Sequence, residues 1–156
     1  MTKLLSGRSF DSFLLEEASL SMQVTWHVDG RINKNFYSGE EWEDTANHPY
    51  PLIAWESVRG HLRELIRGKK APASMSIVLQ LRPDLMQKIL VDEGYPQLTD
   101  VVGAMALNIR YDGSEVTLVT GISLKSFSLD KNADRIWDTM MERFLASREI
   151  GFETMT

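Results

Sequence analysis

From Leu20 the chain alternates strictly: Leu20, Met22, Val24, Trp26 and Val28 are apolar, and Ser21, Gln23, Thr25 and His27 between them are polar. A period of two over that length predicts a half-buried strand. Asp29-Gly30 then signals a hairpin. A three-residue loop, Val28-Asp29-Gly30, pairs Trp26 with Ile32 and Met22 with Phe36, whereas a two-residue loop would set Trp26 against Asn33. The pattern therefore predicts the longer loop, with Gly30 in a left-handed conformation. Upstream, Phe10, Phe13, Leu14, Glu17 and Ala18 suit a helix, while Leu14, Ala18 and Leu20 continue the strand's inner face. One strand from there to Val28 would exceed the usual length, which predicts a bend or bulge.

An acidic loop follows, with Glu40, Glu41, Glu43 and Asp44, and then Pro49 and Pro51. Trp55, Val58, Leu62, Leu65 and Ile66 fall at helical spacing, which predicts a helix from Leu52 or Trp55 to Arg67 that tolerates Gly60 and stops before Gly68 and Pro72. Met75, Ile77, Leu79 and Leu81 alternate as a strand, and Pro83-Asp84 opens a short helix that closes at Gly94. Met105, Leu107, Ile109 and Tyr111 alternate up to Asp112-Gly113, with Val116, Leu118 and Thr120 beyond. A two-residue loop there sets Ile109 opposite Val116, Leu107 opposite Leu118, Arg110 opposite Glu115 and Asn108 opposite Thr117. Gly121 is expected to turn the chain into a last strand, Ile122 to Leu129, bulged near Lys125.

Ala133, Ile136, Trp137, Met140, Met141, Phe144 and Leu145 recur in steps of three and four, so they share one face of a terminal helix capped by Asp130 and followed by Gly151. So wide a stripe needs a sheet to cover it. The order of elements argues an α+β fold: a curved, mostly antiparallel sheet of about six strands, with the C-terminal helix and one or two further helices packed on it. At 156 residues the chain is expected to form a single domain, 1–156.

Composition narrows the function classes. The absence of cysteine removes disulfides, thiolate zinc sites and cysteine nucleophiles, and fits a cytoplasmic protein. No apolar run reaches the ~18 residues of a membrane span, and Met1 to Phe10 lacks a secretory apolar segment. A net charge of −5 argues against a dedicated nucleic-acid binder unless positive charge is concentrated locally.

Such a concentration exists. Arg59, Arg63 and Arg67 recur every four residues along one side of the predicted helix, and Lys69 and Lys70 continue past its end. Between Trp55 and Arg82 six basic residues face two acidic ones, Glu56 and Glu64. This ridge would hold an anionic ligand, a nucleic acid or an acidic protein surface by charge-assisted bonds; its plain alternative is a solvated face lying against the acidic loop. Gly68-Lys69-Lys70 is no phosphate loop, since Arg63 and Lys70 stand where that motif needs glycine and a hydroxyl. A second candidate is an apolar cavity under the terminal helix, lined by Trp137, Met140 and Met141; Met-rich surfaces adapt to varied ligands, although core packing accounts for the same residues.

The chemistry of catalysis is sparse. His27, His48 and His61 show no metal-ligand spacing, so no metal and no cofactor is predicted. Glu16 and Glu17 point to opposite sides of a strand, and Glu16 would be a buried carboxylate of interest if the strand continues that far; its plain alternative is a residue at the sheet's end, in water. No serine sits in a nucleophile elbow. Phe10-Asp11, Phe13-Leu14-Leu15, Asp29-Gly30-Arg31, Ile66 to Pro72, Asn108-Ile109-Arg110-Tyr111, Thr120-Gly121-Ile122-Ser123, Leu129-Asp130-Lys131 and Trp137-Asp138 resemble, over nearly the whole chain, a family of small bacterial proteins known as a domain of unknown function. That resemblance carries no activity, ligand or site residue. The sequence alone thus predicts a non-enzymatic binding or interaction domain using the basic ridge, then a small-molecule binder with an apolar cavity, and last an enzyme of unknown class.

Overall fold

The computed structural model describes residues 2–68 and 70–155. Its strands are β1 (Phe13–Ser21), β2 (Thr25–Asp29), β3 (Ile53–Ala54), β4 (Ser74–Leu81), β5 (Val102–Tyr111) and β6 (Val116–Leu124). Its α-helices are α1 (Thr2–Leu5), α2 (Gly39–Glu43), α3 (Trp55–Ile66), α4 (Pro83–Asp92) and α5 (Asn132–Ser147). The strands form a six-stranded antiparallel sheet in the order β2-β1-β4-β5-β6, with β3 paired to β1 off that path. The protein is α+β, as its element order predicts. By compactness the chain divides into two units, residues 1–82 with 107–119 and residues 83–106 with 120–156.

In the first unit β1 carries the core. Phe13, Leu15, Ala18 and Leu20 pair with Leu81, Leu79, Ile77 and Met75 of β4, and all eight are buried. The register shifts between Leu15 and Glu17, so Glu16 is the extra residue of a bulge, in the segment where the sequence demanded one. Helix α3 lies against β1 and buries Trp55 and Leu62. Trp55 also donates its indole N–H to the Leu4 carbonyl at 3.0 Å, which fastens α1 to α3. A fully buried indole needs such a partner.

The first hairpin is not where Asp29-Gly30 put it. Leu20 pairs with Trp26 and Ser21 with Thr25, so the chain reverses at Met22-Gln23-Val24 and the expected single strand is two. A three-residue connection preserves parity: even-numbered residues face even-numbered ones, and the alternation runs through the turn unbroken. Gly30 instead lies under β1, where its N–H donates to the Glu16 carbonyl at 2.9 Å and its own carbonyl accepts from Ile53 N–H at 2.8 Å. The expected strand Ile32 to Phe36 is a loop with a short 3-10 turn, Lys34–Phe36, and Phe36 is exposed. The acidic segment that follows is α2, closed by a reciprocal capping box between Ser38 and Glu41. Ser38 backbone and hydroxyl bonds hold the Glu41 carboxyl below its usual pKa.

The second hairpin turns one residue later than expected. Asp112 N–H donates to the Glu115 carbonyl at 3.2 Å, which makes Gly113 and Ser114 the central pair and sets Glu115 opposite Asp112 instead of Arg110. Gly113 takes the left-handed conformation, φ 97°. The Asp112 carboxylate also accepts both Glu115 N–H and Ser114 N–H, which holds its pKa below the usual range. Beyond it β6 runs without a break through Gly121 to Leu124. No strand continues to Leu129, and Phe127 and Leu129 are exposed.

In the second unit α5 buries Ala133, Ile136, Trp137, Met141 and Leu145, with Met140 and Phe144 half-buried on the same face. Trp137 donates its indole N–H to the Ala106 carbonyl of β5 at 2.8 Å, and the Thr120 hydroxyl of β6 donates to Asp138. The N-cap is Lys131, without a side-chain cap bond, and not the expected Asp130, which instead accepts Asn132 N–H at 2.8 Å just before the helix. The helix ends before Gly151: Glu149 takes the left-handed position, φ 58°, and Ile150 N–H returns to the Leu145 carbonyl at 2.9 Å. Helix α4 buries Met86 and Leu90.

Candidate functional site

The ridge read from the sequence does not survive as a row of free cations. Arg59 turns inward to Asp11, with its Nε 3.0 Å from Oδ1 and 17% of its side chain exposed. That bond raises the Arg59 pKa above its ordinary value. Arg63 and Arg67 are exposed and flank Glu64 at 3.9 and 3.3 Å, so one carboxylate serves two guanidiniums. Neither ion pair reaches the acidic segment Glu40 to Asp44. Lys69 lies outside the described residues, and Lys70 is exposed with no ion pair among them.

Arg67 and Lys70 do something that Arg59 and Arg63 do not: they border a cleft of about 600 Å³ in the first unit. Its floor is Met22, Val24 and Trp26 from the β1–β2 turn and β2; Leu65 from the end of α3 and Ala71 and Ala73 complete the apolar lining. The geometry follows from a mismatch of lengths. The inner face of the hairpin carries apolar residues to its tip, but α3 stops at Ile66 and leaves that end without a helical cover. Trp26 is consequently 45% and Val24 60% exposed. The segment after α3 is tied back to the sheet by Ala73 N–H, which donates to the Ser21 carbonyl at 2.8 Å. Among the described residues no Asp or Glu lines the cleft. Sequence reasoning found its cations and missed its floor, because Trp26 and Leu65 fit a core pattern as well as a site; the signal was the surplus of apolar residues at the hairpin tip over those in the last turn of α3.

The residues of the second predicted cavity lie in the second unit. Trp137 and Met141 are buried in the second unit and Met140 is half-buried, all on the packed face of α5. Their placement is that of a helix core.

The histidines remain apart. His27 accepts or donates at Nδ1 to Ser19 Oγ at 2.9 Å, a cross-strand pair on the exposed face of β1 and β2. His48 stacks on Trp42 with ring centroids 3.6 Å apart, and its Nε2 sits 2.6 Å from the Trp42 carbonyl. His61 is exposed on α3. Glu16 is half-buried and accepts from Gln80 Nε2 at 3.2 Å. Among the described residues no three His, Cys, Asp or Glu side chains gather to hold a metal ion, and no helix is long and apolar enough to cross a membrane.

No curated protein and no solved structure matches the chain. A family model does, over residues 3–153 of 156, in agreement with the resemblance carried by motifs spread from Phe10 to Asp138. The chain belongs to that family, the family of unknown function DUF5721.

Proposed function

We propose that this protein is a non-enzymatic binding domain whose cleft takes a small anionic ligand with an apolar or aromatic body. One observation carries the reading: a cleft of about 600 Å³ with an apolar floor, two exposed cations at its border and no acid among the described residues of its lining, in a chain of net charge −5. Its volume is that of a small-molecule site. Trp26 offers a flat, half-exposed ring to an aromatic group, and Arg67 and Lys70 offer charge-assisted donors to a carboxylate, sulfonate or phosphate. Arg67 is available because its bond to Glu64 is a surface pair, worth about 0–1 kcal/mol, which a ligand anion can replace. One arginine and one lysine suit a single small anion better than the many phosphates of a nucleic acid.

Anilinonaphthalenesulfonate combines the two features and is the probe of choice. It is expected to bind with one site per chain. Trp26→Ala should abolish this, and Arg67→Gln with Lys70→Gln should weaken it roughly 5- to 30-fold, about 0.5–1 kcal/mol per charge. Unchanged titrations with both variants would overturn the reading. So would equal loss in Arg63→Gln, whose side chain does not line the cleft.

A further inference from the structure

The geometry points to a symmetric dimer formed by β6 pairing with β6 of a second copy. The strand Val116–Leu124 stands at one end of the strand order and is nine residues long. An end strand leaves alternate N–H and C=O groups unpaired, and proteins usually blunt such an edge with charge, proline or brevity. β6 has none of these: its sequence, Val-Thr-Leu-Val-Thr-Gly-Ile-Ser-Leu, holds no charged residue and no proline. Nor is it covered. None of its nine residues is buried, in contrast to β1, β4 and β5, and Val116 and Leu124 at its two ends are 46% and 40% exposed.

A second copy is the occupant that this sequence fits. Read from either end, the strand has one pattern of polarity about Thr120. Antiparallel self-pairing centred there sets Val116 opposite the partner's Leu124, Thr117 opposite the partner's Ser123, and Leu118 opposite the partner's Ile122. Val119 meets the partner's Gly121, and the two Thr120 residues meet on the twofold axis. Apolar faces apolar and hydroxyl faces hydroxyl at each pair. Such matches are what stabilise an antiparallel ladder, and a twofold axis demands self-complementarity of this kind. A strand without charge also brings no like-charge repulsion to its own copy. Pairing two end strands closes the association at two chains.

Charge placed at the two exposed ends tests both the association and its register. By sedimentation across about 1 to 100 μM, the range of modest affinities, the natural protein should pass from one to two chains in mass. Val116→Lys with Leu124→Lys sets lysine opposite lysine at both ends and should leave a monomer at every concentration. Val116→Lys with Leu124→Glu sets lysine opposite glutamate and should restore the dimer, now weakened by salt. Both positions are exposed in the single chain, and circular dichroism confirms that each variant is folded before its mass is measured. A natural protein that stays monomeric at the top of the range overturns the proposal. Species larger than a dimer overturn it too, as does an identical response from the two variants.

Discussion

Replacing Gly30 by alanine tests the account of the first hairpin most directly. A Cβ built on Gly30 would lie 1.8 Å from the Leu15 carbonyl oxygen and 2.6 Å from the carbonyl carbon. Ordinary contact is about 3.5–4.0 Å between such atoms, so backbone has to part by more than an ångström. Neither side can yield cheaply. Leu15 is fully buried in the β1–β4 ladder, and Gly30 is held by the Glu16 carbonyl at 2.9 Å and the Ile53 N–H at 2.8 Å. Separation would break both bonds, at about 1 kcal/mol each, and open packing around Leu15 at a comparable further cost. The expected loss is therefore about 3 kcal/mol, read as a fall in the urea midpoint with unchanged slope. In the hairpin turn that the sequence alone suggests, Gly30 would need only a left-handed backbone, and asparagine would serve there nearly as well. Gly30→Asn should instead cost at least as much as Gly30→Ala. A loss under about 0.5 kcal/mol for alanine, or a milder effect of asparagine, would refute this reasoning.

Gly60 is the opposite case: it lies inside α3 with no atom within 4 Å of an added Cβ, so Gly60→Ala should stabilise by about 1 kcal/mol, visible as a higher thermal midpoint, and an unchanged or lower midpoint would contradict that geometry. Asp112 has its pKa depressed by the Glu115 and Ser114 N–H bonds, so its contribution is fully present above the ordinary aspartate value of about 4 and is lost as pH falls through the lower folded-state value. Asp112→Asn keeps an acceptor but no titration; the gap in thermal midpoint between natural protein and variant should close from pH 5 to pH 2, about the range in which aspartates protonate, and a constant gap would sink the assignment.

Much of this architecture is legible in the chain because single elements carry redundant signals. α5 has a seven-residue stripe with an Asx residue ahead of it, and β4 alternates over its whole length between two breakers. α3 ends one residue before Arg67, within the usual scatter of helix boundaries. The failures share a cause: period two records which face a side chain takes, not where the chain reverses. Met22 to Val24 and Asp29-Gly30 carry the same parity information, and only long-range pairing with β4 and β3 decides between them. Gly121 misleads for a related reason, since a glycine within an uncharged strand resembles a turn until its neighbours are known. The basic ridge shows the limit for sites. Helical spacing places Arg59, Arg63 and Arg67 together correctly, yet Asp11, far away in sequence, takes Arg59 out of the row.

The same comparison of magnitudes ranks what the cleft can hold. Each exposed cation adds about 0–1 kcal/mol toward an anion, whereas covering one large apolar side chain contributes about 1.5–3 kcal/mol. The net charge of −5 opposes anions at long range, but screening confines that repulsion to about 8 Å at physiological salt, while Arg67 and Lys70 act at contact. Charge can therefore orient a ligand here, and the floor of Met22, Val24, Trp26 and Leu65 has to hold it. Inorganic phosphate, which engages the cations alone, should not compete measurably with anilinonaphthalenesulfonate, and a neutral aromatic of similar shape should bind more weakly than the sulfonate but still bind. Were phosphate the better competitor, the cleft would be an anion site with an incidental floor, and the ranking of its two halves would be reversed.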